Sequence, residues 1–199
     1  MLKQELSADL KLTRLYYRAD KRPFMPGDPI RTAGDFSDSH PPALKLAEKL
    51  LASTKSDAKP SRADCLMLFE NEECAREYCA KLIAGRLYKV RISPEAILHR
   101  GDMHIVDTIG LKLSKHEDAS ADAKAYWSGQ ENDLPCIEVL VAAGIVEEEL
   151  EFTSAERKQR IRRVYGVTSS PATDEDLDAI IFDRPKSLSG KFMEDCIAF

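Results

Sequence analysis

Ile137-Glu138-Val139-Leu140-Val141 is a run of strand-forming residues with one carboxylate, the only charge between Leu134 and Val146. Aliphatic side chains at every other position favour a buried, pleated strand. Ala143-Gly144 follows as a tight connection into a second strand, Ile145 to Phe152. Glu138 has two readings in such a strand. At a sheet edge it alternates out to water. Partly buried, its lone pairs need donors and its charge needs a cation, which a ligand's hydroxyl groups and developing positive charge can supply.

The segments before this run read as a mixture of short strands and helices. Cys65-Leu66-Met67-Leu68-Phe69 is apolar throughout and of strand length, which predicts burial on both faces. Leu87 to Ile92 alternates as a half-buried strand, and Ser93-Pro94 breaks it. Leu10 to Tyr17, rich in strand-forming aromatics, is a first strand that ends at Ala19-Asp20, and Met103-His104-Ile105-Val106 reads as another. Helices are expected from Pro42, with Leu44, Ala47, Leu50 and Leu51 on one stripe, and from an Asn71 cap, burying Ala75, Cys79, Leu82 and Ile83. A third spans 117–127 and stops at Gly129. Residues 23–41, rich in proline, read as a long loop, and 53–62 as a second one. The fold class is therefore α+β with five or six short strands.

After Thr153 the character changes. Thr153 and Glu156 have capping-box spacing, and a basic helix follows with Arg157, Lys158, Arg160, Arg162 and Arg163. That basic run is either a solvated helix face or a surface for an acidic partner or RNA. A linker at 166–174 and a short acidic helix from Asp174 to Phe182 complete the reading. The division expected is a domain over 1–152 and a helical extension over 153–199 packed on it.

Composition narrows the function classes. The 199 residues are 43% hydrophobic and 32% charged, as in an ordinary globular chain, with a net charge of −5. An acidic balance argues against broad binding to a nucleic-acid backbone, though a local basic groove stays open. No apolar run reaches signal-peptide or membrane-spanning length. The five cysteines, Cys65, Cys74, Cys79, Cys136 and Cys196, are odd in number and read as reduced thiols. The location expected is cytoplasmic, or the cytosol of a target cell into which the protein is delivered. Paired metal-ligand spacings, a Walker loop, a GxGxxG and a Gly-x-Ser-x-Gly elbow are all missing.

Three further places combine an apolar approach with a polar residue. Arg18 closes Leu15-Tyr16-Tyr17 and is either a snorkelling surface arginine or a planar fork for a diphosphate. Ser61 and Arg62 precede the buried strand that ends in Phe69, as a turn or as pocket hydrogen-bonders. Trp127, beside Gly129, is core or a surface for stacking a nicotinamide or adenine ring.

With these residues in order, the chain resembles the ADP-ribosyltransferase superfamily, in particular small bacterial domains of that kind with no assigned function. The resemblance runs through Leu15-Tyr16-Tyr17-Arg18, Gly27-Asp28-Pro29-Ile30, Pro60-Ser61-Arg62 to Leu68-Phe69, Ala75 and Tyr78, Leu87 to Ile92, and Gly101-Asp102-Met103. It ends with Tyr126-Trp127-Ser128-Gly129 ahead of Glu138-Val139-Leu140-Val141, so it covers residues 12–150. It implies a split sheet of short strands with flanking helices, NAD as co-substrate and no metal. It also implies that Arg18 and Glu138 are catalytic, and that Arg18, Ser61, Arg62, Phe69 and Trp127 bind the cofactor. The activity implied is NAD-dependent transfer of ADP-ribose, as bacterial effectors and toxins perform it, or NAD hydrolysis. The alternative is a non-catalytic protein-binding module. Cys136 stands two residues before Glu138, where relatives that modify arginine carry Glu or Gln. The acceptor is therefore open; a protein is expected, ahead of nucleic acid, a small molecule or water.

Overall fold

The computed structural model describes residues 14–32, 34, 42–82 and 84–165. Among these the chain is α+β, with one antiparallel sheet of seven strands and five α-helices. The strands are β1 (Arg14–Asp20), β2 (Pro29–Arg31), β3 (Leu66–Phe69), β4 (Arg86–Ile92), β5 (Ile97–Asp102), β6 (Ile137–Val141) and β7 (Ala143–Leu150). The helices are α1 (Pro42–Thr54), α2 (Glu72–Ala80), α3 (Met103–Ser114), α4 (Ser120–Ser128) and α5 (Ser154–Tyr165).

The sheet order is β2-β7-β4-β1-β3-β6-β5. β1 matches β4 along its whole length, from Arg14 opposite Ile92 to Asp20 opposite Arg86. Against β3 it meets only at Tyr17 opposite Phe69. The sheet therefore has a short seam, with β2, β7, β4 and β1 on one side and β3, β6 and β5 on the other. β6 and β7 lie on opposite sides of that seam although only Ala142 separates them. The continuous run bends from one half-sheet into the other, as strands do where they switch sheets. Ala143 and Gly144 are thus inside β7, not a tight connection between paired strands. Gly144 is required there by close approach, since a Cβ at that position would lie 2.4 Å from Val90 Cγ1.

Period-2 alternation assigns the strand residues to two cores. Met67, Phe69, Leu87 and Leu140 point to the helices, with Leu51, Ala75, Val106, Ile109 and Trp127. Tyr16, Leu66, Leu68, Tyr88, Val90, Val139, Val141 and Val146 form the other cluster, built from both half-sheets. β3 and β6 are buried at every position, as their apolar runs predict.

Several local expectations change. Residues 23–41 contain a strand, β2, whose Pro29 opens an edge position where a missing N–H is harmless. Residues 103–106 begin a helix, not a strand. Asp102 caps it by accepting from His104 N at 3.0 Å, and Ile105, Val106 and Ile109 bury at helical spacing. The strand lies just before it, as β5. α2 starts at the Asn71 cap, which accepts from Glu73 N at 2.7 Å, but ends at Ala80 before Gly85. The basic helix, α5, docks on α2. Arg160 Nη1 reaches Glu73 Oε1 at 2.6 Å, Arg163 Nη2 reaches Glu77 Oε1 at 2.7 Å, and Arg76 Nη1 reaches Glu156 Oε1 at 2.9 Å. Residues 10–13, Ile83 and the acidic helix expected at 174–182 lie outside the described residues. No helix among the described residues is long and apolar enough to cross a membrane.

Candidate functional site

The seam leaves a gap between β1 and β3, and a pocket opens there. Its outline takes in about 310 Å³, open solvent included, of which the enclosed part is about the size of one water. Arg18, Glu48, Arg62 and Glu138 supply its charged lining, and Leu44, Met67, Phe69, Tyr78 and Met103 its apolar walls. Four residues singled out from sequence thus meet: Arg18, Arg62, Phe69 and Glu138. Two do not line it. Ser61 sits just before the 3-10 turn Arg62–Asp64 and makes no side-chain capping bond there. Trp127 is buried in the core, its Nε1 donating to Leu51 O at 2.9 Å.

Glu138 is held on the helix face of β6, opposite Phe69 on β3 and Gly101 on β5. A Cβ at Gly101 would meet the Tyr126 ring at 2.4 Å. That position must be glycine for Tyr126, from α4, to reach the carboxylate. Its hydroxyl donates to Glu138 Oε1 at 2.6 Å. Arg62 Nη1 donates to the same oxygen and to the Tyr126 hydroxyl. No described residue donates to Oε2.

Arg62 is the centre of the arrangement and is only 5% exposed. Its other edge binds Glu48 of α1, with Nε to Oε2 at 3.0 Å and Nη2 to Oε1 at 3.1 Å. The guanidinium also lies 5.1 Å from the Tyr126 ring centroid. Burial opposes the Arg62 charge, but Glu138, Tyr126 and Glu48 outweigh it and raise its pKa well above the ordinary range. Burial pushes the Glu138 carboxyl up, against the pull of Arg62 and Tyr126. Two carboxylates share one guanidinium, so the interior carries one net negative charge.

The mouth has the opposite sign. Arg18 Nη1 donates to Met67 O at 2.9 Å, a carbonyl at the seam, and its Nε and Nη2 turn to Asp20 Oδ2 at 3.2 Å. Arg22 Nη2 binds the same Asp20 oxygen at 2.8 Å. Burial raises the Asp20 pKa, but the two arginines more than reverse that and keep it below the ordinary value. Two arginines against one aspartate leave this cluster net positive, and Arg18 is its member that lines the pocket.

Glu48 and Tyr126 are the site residues that sequence reading missed. Leu44, Glu48 and Leu51 have i, i+4, i+7 spacing, so a carboxylate on the apolar stripe of α1 was the available signal. Among the described residues no group of three or more His, Cys, Asp and Glu could hold a metal. No protein-family model matches the chain, and no match was found among curated proteins.

Proposed function

We propose that the pocket binds NAD as a co-substrate and that the protein is an ADP-ribosyltransferase of the effector or toxin kind. The observation that carries this reading is the charge order along the pocket. A negative, aromatic-lined interior suits a nicotinamide ring that carries a positive charge, and a positive mouth suits a diphosphate. The space wholly inside the pocket is about that of one water, so a nicotinamide ring and its sugar enter only as lining side chains move aside, with the rest of the dinucleotide outside along Arg18.

In this reaction the bond between nicotinamide nitrogen and ribose breaks, and its electron pair leaves with the nitrogen. The ring becomes neutral while positive charge appears on the ribose. Glu138 Oε2, to which no described residue donates, accepts from a ribose hydroxyl and stabilises charge that exists only during the reaction. Arg62 and Tyr126 fix the carboxylate through Oε1. Phe69 and Tyr78 wall the ring, and Trp127 acts from the core behind Tyr126 rather than by stacking on the ligand. An acceptor nucleophile then bonds to the ribose carbon and releases its proton. The acceptor favoured is a protein side chain.

Purified wild-type protein is expected to release free nicotinamide from NAD. Glu138→Gln loses that release by about 100-fold or more with unchanged circular dichroism. Labelled NAD in cell lysate separates transfer from hydrolysis. A second reading, a non-catalytic protein-binding module, is favoured by one observation: Arg62 and Tyr126 already engage Glu138, as in a purely structural ion pair. Absence of both NAD binding and turnover would select it.

A further inference from the structure

Two thiols meet beside the pocket, and the proposed reaction uses neither. Cys74 is in the first turn of α2, Cys136 immediately precedes β6, and the two thiols interact with each other. Backbone bonds bring the two segments together independently. Glu70 N donates to Ile137 O at 3.0 Å, which sets the approach to α2 against the start of β6. Cys136 is held on both sides, its N–H donating to Asp102 Oδ1 at 3.0 Å and its carbonyl accepting from Met103 N at 2.9 Å. Asp102 is fully buried and also accepts from Asn132 N and Nδ2, each at 3.0 Å.

Cys74 and Cys136 differ from the buried Cys65 and Cys79 in being partly exposed. Cys74 differs in acidity as well, whereas the bond to Cys74 and burial push Cys136 up. The bond from Cys136 and the positive end of α2 favour the Cys74 thiolate, and its pKa is lowered despite burial. Burial pushes Cys79 up to about 12, and also raises Cys65.

We propose that Cys74 and Cys136 form a reversible dithiol–disulfide site whose oxidant is a small-molecule disulfide of the glutathione class. The Cys74 thiolate attacks one sulfur of the oxidant, forms a mixed disulfide and expels one thiolate. Cys136 then no longer has a thiolate to donate to, gives its proton to water, attacks Cys74 Sγ and expels the second. The pair loses two electrons and two protons, and the oxidant is reduced to two thiols. The new bond ties the helix carrying Tyr78 to the strand carrying Glu138, joining two walls of the pocket.

The test uses the full chain, incubated with glutathione disulfide, quenched by alkylation and mapped by mass spectrometry without reduction. The expected result is a linked Cys74–Cys136 peptide pair, two hydrogens lighter than the free thiols and released by reduced glutathione. Cys136→Ser should stop at the mixed disulfide, with glutathione on Cys74. A map that leaves both thiols unlinked in folded protein, or joins either to Cys65, Cys79 or Cys196, overturns the proposal. Failure of Cys74 in Cys136→Ser to take up glutathione, with alkylation no faster than at Cys79, does the same. None of these readouts needs NAD, so they separate this site from the enzymatic reading.

Discussion

Arg62 does two jobs that pull in different directions. As a buried ion it loses its hydration, and attraction to Glu138 and Glu48 offsets that loss without much surplus. Its net contribution to folding is therefore small while both partners are present, yet removing it alone strands a buried Glu138. Arg62→Met is expected to lower stability by about 3–5 kcal/mol, measured by urea unfolding. Pairing it with Glu138→Leu should recover much of that loss, because only the partly exposed Glu48 then lacks its partner. A double variant as unstable as Arg62→Met would show that shape, not charge, holds the site. At this scale the sequence was partly legible. Glu138 stands out as a carboxylate on an apolar strand and Arg62 as a cation just before one, whereas Glu48, between Lys45 and Lys49 on a helix, reads as one more surface charge. Trp127, named from sequence, and Tyr126, which reaches Glu138, are adjacent on a helix and point about 100° apart, and sequence alone does not say which meets the carboxylate.

Among the elements, α2 and α5 show how a basic run is used within the chain. Glu73 accepts from Arg160 and Arg163, and those bonds take its pKa from the ordinary 4.5 down to about 2. A carboxyl with a folded-state pKa below its unfolded one stabilises above the unfolded value and loses that contribution as pH falls. The gap in stability between wild type and Glu73→Gln should thus close between pH 4.5 and about 2, and should shrink in high salt. A gap that stays constant across this range would place α5 docking on apolar contacts. The start of α2 was readable from Asn71-Glu72-Glu73 because a cap acts locally. β5 escaped because Arg100-Gly101-Asp102 has no strand propensity; its burial comes from β6 beside it. The four residues 103–106 were too short a window to tell a buried strand from the first turn of a helix.

Across the whole molecule, the seam between β1 and β3 and the bend at Ala142 are one device, since a run can change half-sheets only where the halves part. No short-range pattern encodes this, as it depends on which strands pair over long separations. Gly144 is where it is tightest. Gly144→Ala should cost about 1–3 kcal/mol by driving a methyl into Val90, and Val90→Ala in the same chain should relieve part of it. Additive losses in urea unfolding would argue against that contact. Trp127 is the only tryptophan of the chain. Its ring lies 5.0 Å from Tyr126 and 4.8 Å from His99. Burial and Lys59 hold His99 neutral down to about pH 4, so no imidazolium quenches the indole at physiological pH. The protein thus carries its own fluorophore one residue from a hydroxyl that touches Glu138, and a shift in unlabelled emission on adding NAD is an expected readout of the proposed binding.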